Sequence, residues 1–463
     1  ADVDYAQAAH GVSIITLTKQ AQGWRFDRNG RFNRRIDANT AMRISGPAQG
    51  HALLQTNADP KGEVALGTFN NCANGMTPWG TYLTCEENFN GYFGSDAQVD
   101  LSPEFSRYGI AAVDAGYSWY KFDSRFDLGK EPNEPNRFGW VVEIDPHNPN
   151  STPVKRTALG RFKHENAELV IAEDGRVVVY LGDDERGEHI YRFVSRNKYN
   201  PVDQAANRDL LDDGELFVAK FNEDGSGEWL SLTHGQNGLT AENGFASQAD
   251  ILIHARLAAT QVGATTMDRP EWVAVHPHEP MVFCTLTNNK NRGLKDNQPV
   301  GGPNPRAENH YGQIVRWVPT AGQHTAKDFQ WDLFLMAGNP SVHGATPYAG
   351  SSNITAENMF NSPDGIGFDQ AGRLWIQTDG NYSNQGDFAG QGNNQMLCAD
   401  PKTGEVRRFL TGPVACEITG LAFTADQKTL FIGVQHPGEE LEPSHFPLGG
   451  DSVPRSSVMV ITR

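Results

Sequence analysis

An all-β fold, a β-propeller of about six blades with long loop insertions, is what this sequence predicts, on three observations. Glycine (48) and proline (26) are plentiful among the 463 residues, and no long amphipathic helical stretch stands out. That length suggests several ordinary domains, but a propeller carries many strands as one unit. A strand–turn–strand unit opened by an acidic residue recurs along the chain. The spacing is loose enough that a sandwich, or a pair of them, stays open. The expected organisation is a single propeller domain over residues 1–463, with insertions near 89–138, 195–250 and 289–310.

Taken in order, Val12 to Leu17 reads as a strand, followed by a turn at Asp27-Arg-Asn-Gly30 and an arginine-rich stretch from Arg31 to Arg43. An aromatic, β-branched run from Trp79 to Thr84 predicts a strand that delivers Cys85, Glu86 and Glu87 at its end. Residues 89–138 are rich in Gly, Asp, Asn and Pro and read as an excursion over the surface. The first full unit runs from Glu165 to Asp184, with Asp-Gly at its turn; the next runs from Glu271 to Thr287. Two more run from Asp364 to Asp379 and from Glu417 to Val434. Further strands follow at Gly187–Val194, Tyr311–Val318 and Met396–Val406, so hairpins recur in fours. A short amphipathic piece lies at Ala249–Leu257.

The formal charge of −17 argues against nucleic acid as a partner, because phosphate binding rests on basic patches. Excess carboxylate suits hard cations such as calcium. No segment approaches the ~18 apolar residues of a membrane span, so no membrane insertion is expected. The chain opens at Ala1 without methionine, as a processed chain would. Five cysteines (72, 85, 284, 398, 416) are too few and scattered for a disulfide scaffold, and the odd count leaves one thiol over. Cys85 is the candidate, by virtue of its carboxylate neighbours.

Glu165, Glu271, Asp364 and Glu417 occupy matching places in successive units. In a propeller, matching positions lie at one height around the channel, which predicts four carboxylates converging at one mouth. Such a cluster persists only if cations or protons neutralise it. Carboxylates alone suit calcium, and the Cys85 thiolate adds a transition metal. Arg269, two residues before Glu271 and stiffened by Pro270, offers a planar fork for phosphate, or a structural ion pair with a carboxylate. The acidic run Gly182–Glu188 could hold a structural calcium but lacks the spacing of a calcium-binding helix–loop–helix and reads rather as a solvated turn, and His164 and His436 read as supporting residues beside carboxylates. No HExxH, G-x-S-x-G elbow or P-loop occurs, so serine catalysis is unsupported.

The residues Asn70–Gly75, Thr77–Asn88, Gly160–Glu165, Tyr180–Asp184, Arg269-Pro-Glu271, Ser362–Gly365, Cys416–Gly420 and Val434–Glu439 resemble the PhoX-type alkaline phosphatases. They span most of the chain in the family's order. That resemblance implies a six-bladed propeller, an exported enzyme of the periplasm or medium sent through the twin-arginine route, and hydrolysis of phosphomonoesters. It further implies two ferric ions bridged by an oxide, with two or three calcium ions beside them. On that basis Cys85, Glu165 and Glu271 look like iron ligands, and Glu86, Asp364 and Glu417 like further metal ligands. Arg269 looks like the phosphate clamp, with the metal-bridging oxide or hydroxide as nucleophile. Glu87 has no assignment, and a monomer is expected. The alternatives are a calcium-dependent lactonase or phytase-type propeller without iron, and a calcium-stabilised binding module; neither needs Cys85 as a ligand.

Overall fold

The computed structural model describes residues 2–441 and 443–463. The described residues form two compact units: those of 2–184, 190–219 and 229–264 in the first, and those of 185–189, 220–228 and 265–463 in the second.

In the first unit a six-stranded sheet runs in the order Val64–Leu66, Ala41–Ser45, Val154–Arg156, Val141–Ile144, Tyr82–Glu86, Asn71–Met76. Only Val154–Arg156 and Ala41–Ser45 pair in parallel; the other neighbours are antiparallel. A second meander joins His164–Ile171, Arg176–Asp183, Ile190–Lys198 and the strand that starts at Gly214. Valine and leucine fill Val177, Val179 and Leu181, which alternate with residues of the other face, and all three are fully buried with Leu83, Phe162 and Ile251. Each such side chain contributes about 1.5–3 kcal/mol of apolar burial.

The second unit repeats the pattern. Pro270–Val275, Val282–Leu286, Gln313–Pro319 and Asp328–Met336 form one antiparallel meander. Pro363–Phe368, Leu374–Thr378, Gln395–Ala399 and Val406–Thr411 form the next. Glu417–Phe423, Thr429–Gln435 and Ser457–Thr462 make a three-stranded sheet. Four-stranded antiparallel sheets in sequence are the blades of a β-propeller, and all four predicted hairpins form with the acidic residue at the first or second position of the leading strand.

Three local expectations change. The strand expected at Trp79–Thr84 runs from Tyr82 to Glu86. Trp79 lies in the preceding turn, where the Gly80 N–H donates to the Thr77 carbonyl at 3.0 Å and Gly80 takes a φ of 83°. The Trp79 indole N–H donates to Glu143 Oε1 at 2.8 Å, so the aromatic residue staples the turn rather than filling a strand face. The stretch Val12–Leu17 divides into strands Val12–Ile14 and Thr16–Gln20. Finally, residues 89–138 carry their own core: Phe89, Tyr92, Phe93, Tyr108, Trp119, Phe126 and Phe138 are all buried in one aromatic cluster. The segment is built from 3-10 turns and one short helix, Pro103–Arg107, whose aromatics follow no simple period.

Candidate metal centre

One backbone device places the functional side chains. In four hairpins the leading strand advances three residues while its partner advances two, so a bulge inserts one residue. The flanking pairs are Asn71↔Glu86 with Asn74↔Thr84, His164↔Asp183 with Ala167↔Leu181, Pro270↔Leu286 with Val273↔Cys284, and Pro363↔Thr378 with Ile366↔Ile376. The residue just after the first pair is Cys72, Glu165, Glu271 and Asp364 in turn. A bulge disrupts the ladder locally and re-aims a side chain. Cys72, rather than Cys85, therefore stands in register with the three carboxylates.

The approach to these positions is strained. Asn70, Arg269, Ser362 and Ala415 take φ values of 50°, 55°, 50° and 49°. They precede Cys72, Glu271, Asp364 and Glu417 by two residues. Non-glycine residues in that region cost about 1–3 kcal/mol each and cluster at functional sites. A closing hydrogen bond recurs as well: the N–H groups of Glu87, Asp184, Thr287 and Asp379 donate to the carbonyls of Asn70, Lys163, Arg269 and Ser362, at 2.9–3.2 Å. Each hairpin thus presents two positions for donors, one in the bulge and one just past the second strand.

In the first unit, Cys72, Glu87 and Glu165 bring one ligand atom each within 4.8 Å of the others. The Cys72 thiol donates to Glu165 Oε1 at 3.1 Å. Glu165 is 1% exposed and Glu87 8%. Burial, then the Asp184 and Glu165 carboxylates, push the Glu87 carboxyl well above the usual range, while Lys163 opposes the shift.

Cys85 and Glu86 belong to none of the ligand groups among the described residues. Cys85 is fully buried in an apolar cluster with Leu83, Val141 and Phe162, and burial, then the Glu165 and Glu86 carboxylates, push its thiol up. Glu86 is fully buried too, and its carboxylate is already saturated. Oε1 accepts from Lys155 Nζ at 2.6 Å, and Oε2 from the Gly139 and Trp140 N–H groups at 3.0 and 3.1 Å. The expectation that these two residues are metal ligands is corrected accordingly. Along the strand Tyr82–Glu86 they are buried, and the next residue, Glu87, joins the donor group.

In the second unit, Arg269 Nη2 lies 2.9 Å from Glu271 Oε1, an ion pair in which the guanidinium keeps 21% of its surface. Its neighbour Asp268 fixes the segment by accepting from Arg292 Nε at 2.6 Å, Asn289 Nδ2 at 2.9 Å and Asn309 Nδ2 at 2.9 Å. Part of the expected 289–310 insertion thus serves as a buried clamp on this strand. Asp364 is buried, and its carbonyl accepts from Thr285 Oγ1 at 2.7 Å. Asp379, Glu417 and His436 form a further group with ligand atoms within 4.8 Å. Gln435 Nε2 donates to Glu417 Oε2 at 3.0 Å, and His436 Nε2 lies 3.5 Å from the same oxygen. Burial and Glu417 push the Asp379 carboxyl up to about 7, and the contact with Glu417 raises His436 to about 9.

Cys72, Glu87 and Asp379 had no assignment from sequence, Asp184 was read as part of a solvated turn, and His436 as a supporting residue. Asp184 and Asp379 end the repeat units that begin at Glu165 and Asp364. The second donor position was therefore legible as the closing acid of those two units. The donor chemistry fits iron with calcium: a thiol that suits a transition metal, beside oxygen donors that suit a hard cation. Like-charged oxygens held this close and this buried repel unless a cation or proton lies among them.

The family described as Alkaline phosphatase PhoX matches residues 1–438. A structure of Pseudomonas fluorescens PhoX in complex with vanadate, a transition state analogue, is 61% identical, with a TM-score of 0.98 over 100% of this chain and 81% of that one. A Xanthomonas campestris gluconolactonase (12% identity, 91% of this chain and 94% of that one, TM-score 0.31) superposes too poorly to bear on fold or function. The same is true of a Streptomyces coelicolor aldose sugar dehydrogenase (10% identity, 90% and 99%, TM-score 0.33). No curated protein matches. The chain belongs to the PhoX alkaline phosphatase family, phosphoric monoester hydrolases built on a β-propeller.

Proposed function

We propose that this phosphatase holds iron and calcium through Cys72, Glu87, Glu165, Asp184, Glu271, Asp364, Asp379 and Glu417, and that Arg269 clamps the phosphoryl group of the substrate. The observation that carries the proposal is the Cys72–Glu87–Glu165 group, where a thiol and two buried carboxylates meet within 4.8 Å. When bound, the metals would supply Lewis acidity toward a phosphoryl group and toward water.

The chain's own residues do the rest. Arg269 presents a planar fork of N–H donors, and its ion pair with Glu271 holds the fork in place before substrate arrives. On substrate binding it donates to the phosphoryl oxygens, whose charge grows in the transition state. The strained backbone at Arg269, anchored through Asp268, keeps the guanidinium from following the ester out. Water oxygen forms the new bond to phosphorus, the ester P–O bond breaks, and the alcohol leaves with a proton. Vanadate, which Pseudomonas fluorescens PhoX binds, should inhibit this chain through the same guanidinium.

A periplasmic or secreted location and a monomeric state complete the proposal. Among the described residues no helix is long and apolar enough to cross a membrane. The test is elemental analysis and a visible spectrum of protein purified without added metal, with hydrolysis of a chromogenic phosphomonoester before and after prolonged chelation. Iron with calcium, a charge-transfer colour, and activity lost with the metals are expected. Calcium alone in a colourless, active enzyme would overturn the iron assignment.

A further inference from the structure

A second set of metal-ligating side chains lies in the second unit, apart in sequence from the residues above. His310, His343 and Asp387 bring one ligand atom each within 4.8 Å of the others. The Asp387 carboxylate sits between the two imidazoles, with Oδ2 3.5 Å from His310 Nε2 and Oδ1 3.5 Å from His343 Nε2. These separations are long for a hydrogen bond. They lie close to the ligand-to-ligand edge of a tetrahedral zinc ion, about 3.3–3.4 Å for bonds of about 2.0–2.1 Å, with each imidazole facing a different oxygen of the carboxylate.

The orientation of the groups is equally specific. His310 Nδ1 lies 3.0 Å from the Glu308 carbonyl, which can only accept, so Nδ1 carries the proton and Nε2 presents its lone pair. Nε2 is shut off from solvent and has no hydrogen-bond partner. A bare lone pair facing a carboxylate oxygen repels it, and a cation between the two turns repulsion into coordination. A backbone carbonyl on the remote ring nitrogen is the support that metal-bound histidines ordinarily have.

The remaining pieces are braced. The Tyr311 hydroxyl donates to the Asp387 carbonyl and lies 2.7 Å from His343 Nε2. Asn339 Nδ2 donates to the Asp387 and Ala389 carbonyls at 3.0 and 2.8 Å. Tyr348 stacks on His310 at a 5.6 Å centroid separation, and Phe388 meets the same ring edge-on at 5.6 Å. Two imidazoles and one carboxylate are borderline ligands, which favour zinc or a neighbouring late transition ion over calcium.

We propose that His310, His343 and Asp387 form a binding site for a divalent transition ion of the zinc type, with a solvent molecule completing the tetrahedron on the exposed side of Asp387. The ion would tie together three segments distant in sequence: the loop before Gln313, the turn Pro340–His343 and the turn Gly386–Phe388. Its entry replaces the contact between His343 Nε2 and the Tyr311 hydroxyl.

The test uses the metal-loaded enzyme as isolated, dialysed against micromolar zinc and then zinc-free buffer, with zinc per chain measured by elemental analysis. Wild type should retain one zinc more than Asp387→Asn and His310→Gln, and added zinc should raise the thermal midpoint of wild type only. Both variants should keep phosphomonoesterase activity, which reports that they fold. Equal zinc retention in wild type and both variants, or a thermal shift that calcium reproduces, would overturn the site.

Discussion

Replacing Lys155 by methionine tests the reassignment of Glu86 from metal ligand to structural anion. Both side chains are fully shielded from solvent, with Nζ 2.6 Å from Oε1. The ammonium also donates to the Arg137 carbonyl at 2.9 Å and lies 4.0 Å above the Phe138 ring. Methionine fits that apolar sleeve, so the loss falls on the charge: Glu86 keeps its two backbone donors but loses its hydrogen-bonded cation. Removing one partner of a buried pair costs about 3–5 kcal/mol. At about 2–4 °C per kcal/mol for a cooperative unit of this size, the thermal midpoint should fall by about 6–20 °C. Far-UV circular dichroism at constant metal concentration measures it. Glu86→Gln in the Lys155→Met background should recover at least about half of the loss, since the amide oxygen still accepts from Gly139 and Trp140 without a buried charge. Glu86→Gln alone should keep its metals. A fall of less than about 1 kcal/mol in Lys155→Met, or a double variant no better than the single, would refute the argument.

Three further outcomes follow from the same geometry. Cys72→Ala should lose both visible colour and activity, whereas Cys85→Ala should keep both and lose only about 1–2 kcal/mol of stability from a small cavity; absorption spectra and ester hydrolysis of the two proteins decide it. Arg269→Ala should lower kcat/KM by about 10²–10³-fold, and Arg269→Lys should recover little because the fork is gone. His254 has its pKa lowered to about 4, first by burial and then by Arg161. Its unfolded value near 6.5 lies above that, so its share of stability is intact above about pH 6.5 and declines as pH falls toward 4, by at most about 3 kcal/mol. His254→Gln should flatten that part of the pH–stability curve in urea titrations.

The four hairpins were legible because their apolar alternation and Asp-Gly or similar turns are local signals. Glu165, Glu271, Asp364 and Glu417 were legible as the acids that open them. Cys72 was hidden because its strand, Asn71–Met76, lacks the β-branched run that marks a strand. Asn71 is held there by side-chain bonds to the Thr68 and Thr84 hydroxyls, at 2.7 and 3.0 Å. Gly75 is required because a Cβ there would meet the Ala167 carbonyl oxygen at 2.0 Å. None of this is a periodicity. Cys85 drew the eye through its acidic neighbours in sequence, but its side chain packs among Leu83, Val141 and Phe162, and it is Glu87, just past the end of the strand, that shares a site with Glu165. The core of 89–138 was invisible for a related reason: irregular turns bury aromatics by tertiary fit, with no repeating offset.

The inserted residue in each leading strand has one more consequence. In a pleated strand the parity of a position decides which face it serves, so swapping a donor for one that needs a different reach would ordinarily disturb the core beyond it. A bulge resets the parity, and the strand past Ala167, Val273 or Ile366 keeps its pairing whatever side chain occupies the extra place. The backbone acts as a socket that takes a thiol in one hairpin and a long or short carboxylate in the others. Metal preference can therefore drift one residue at a time without the sheets having to be rebuilt.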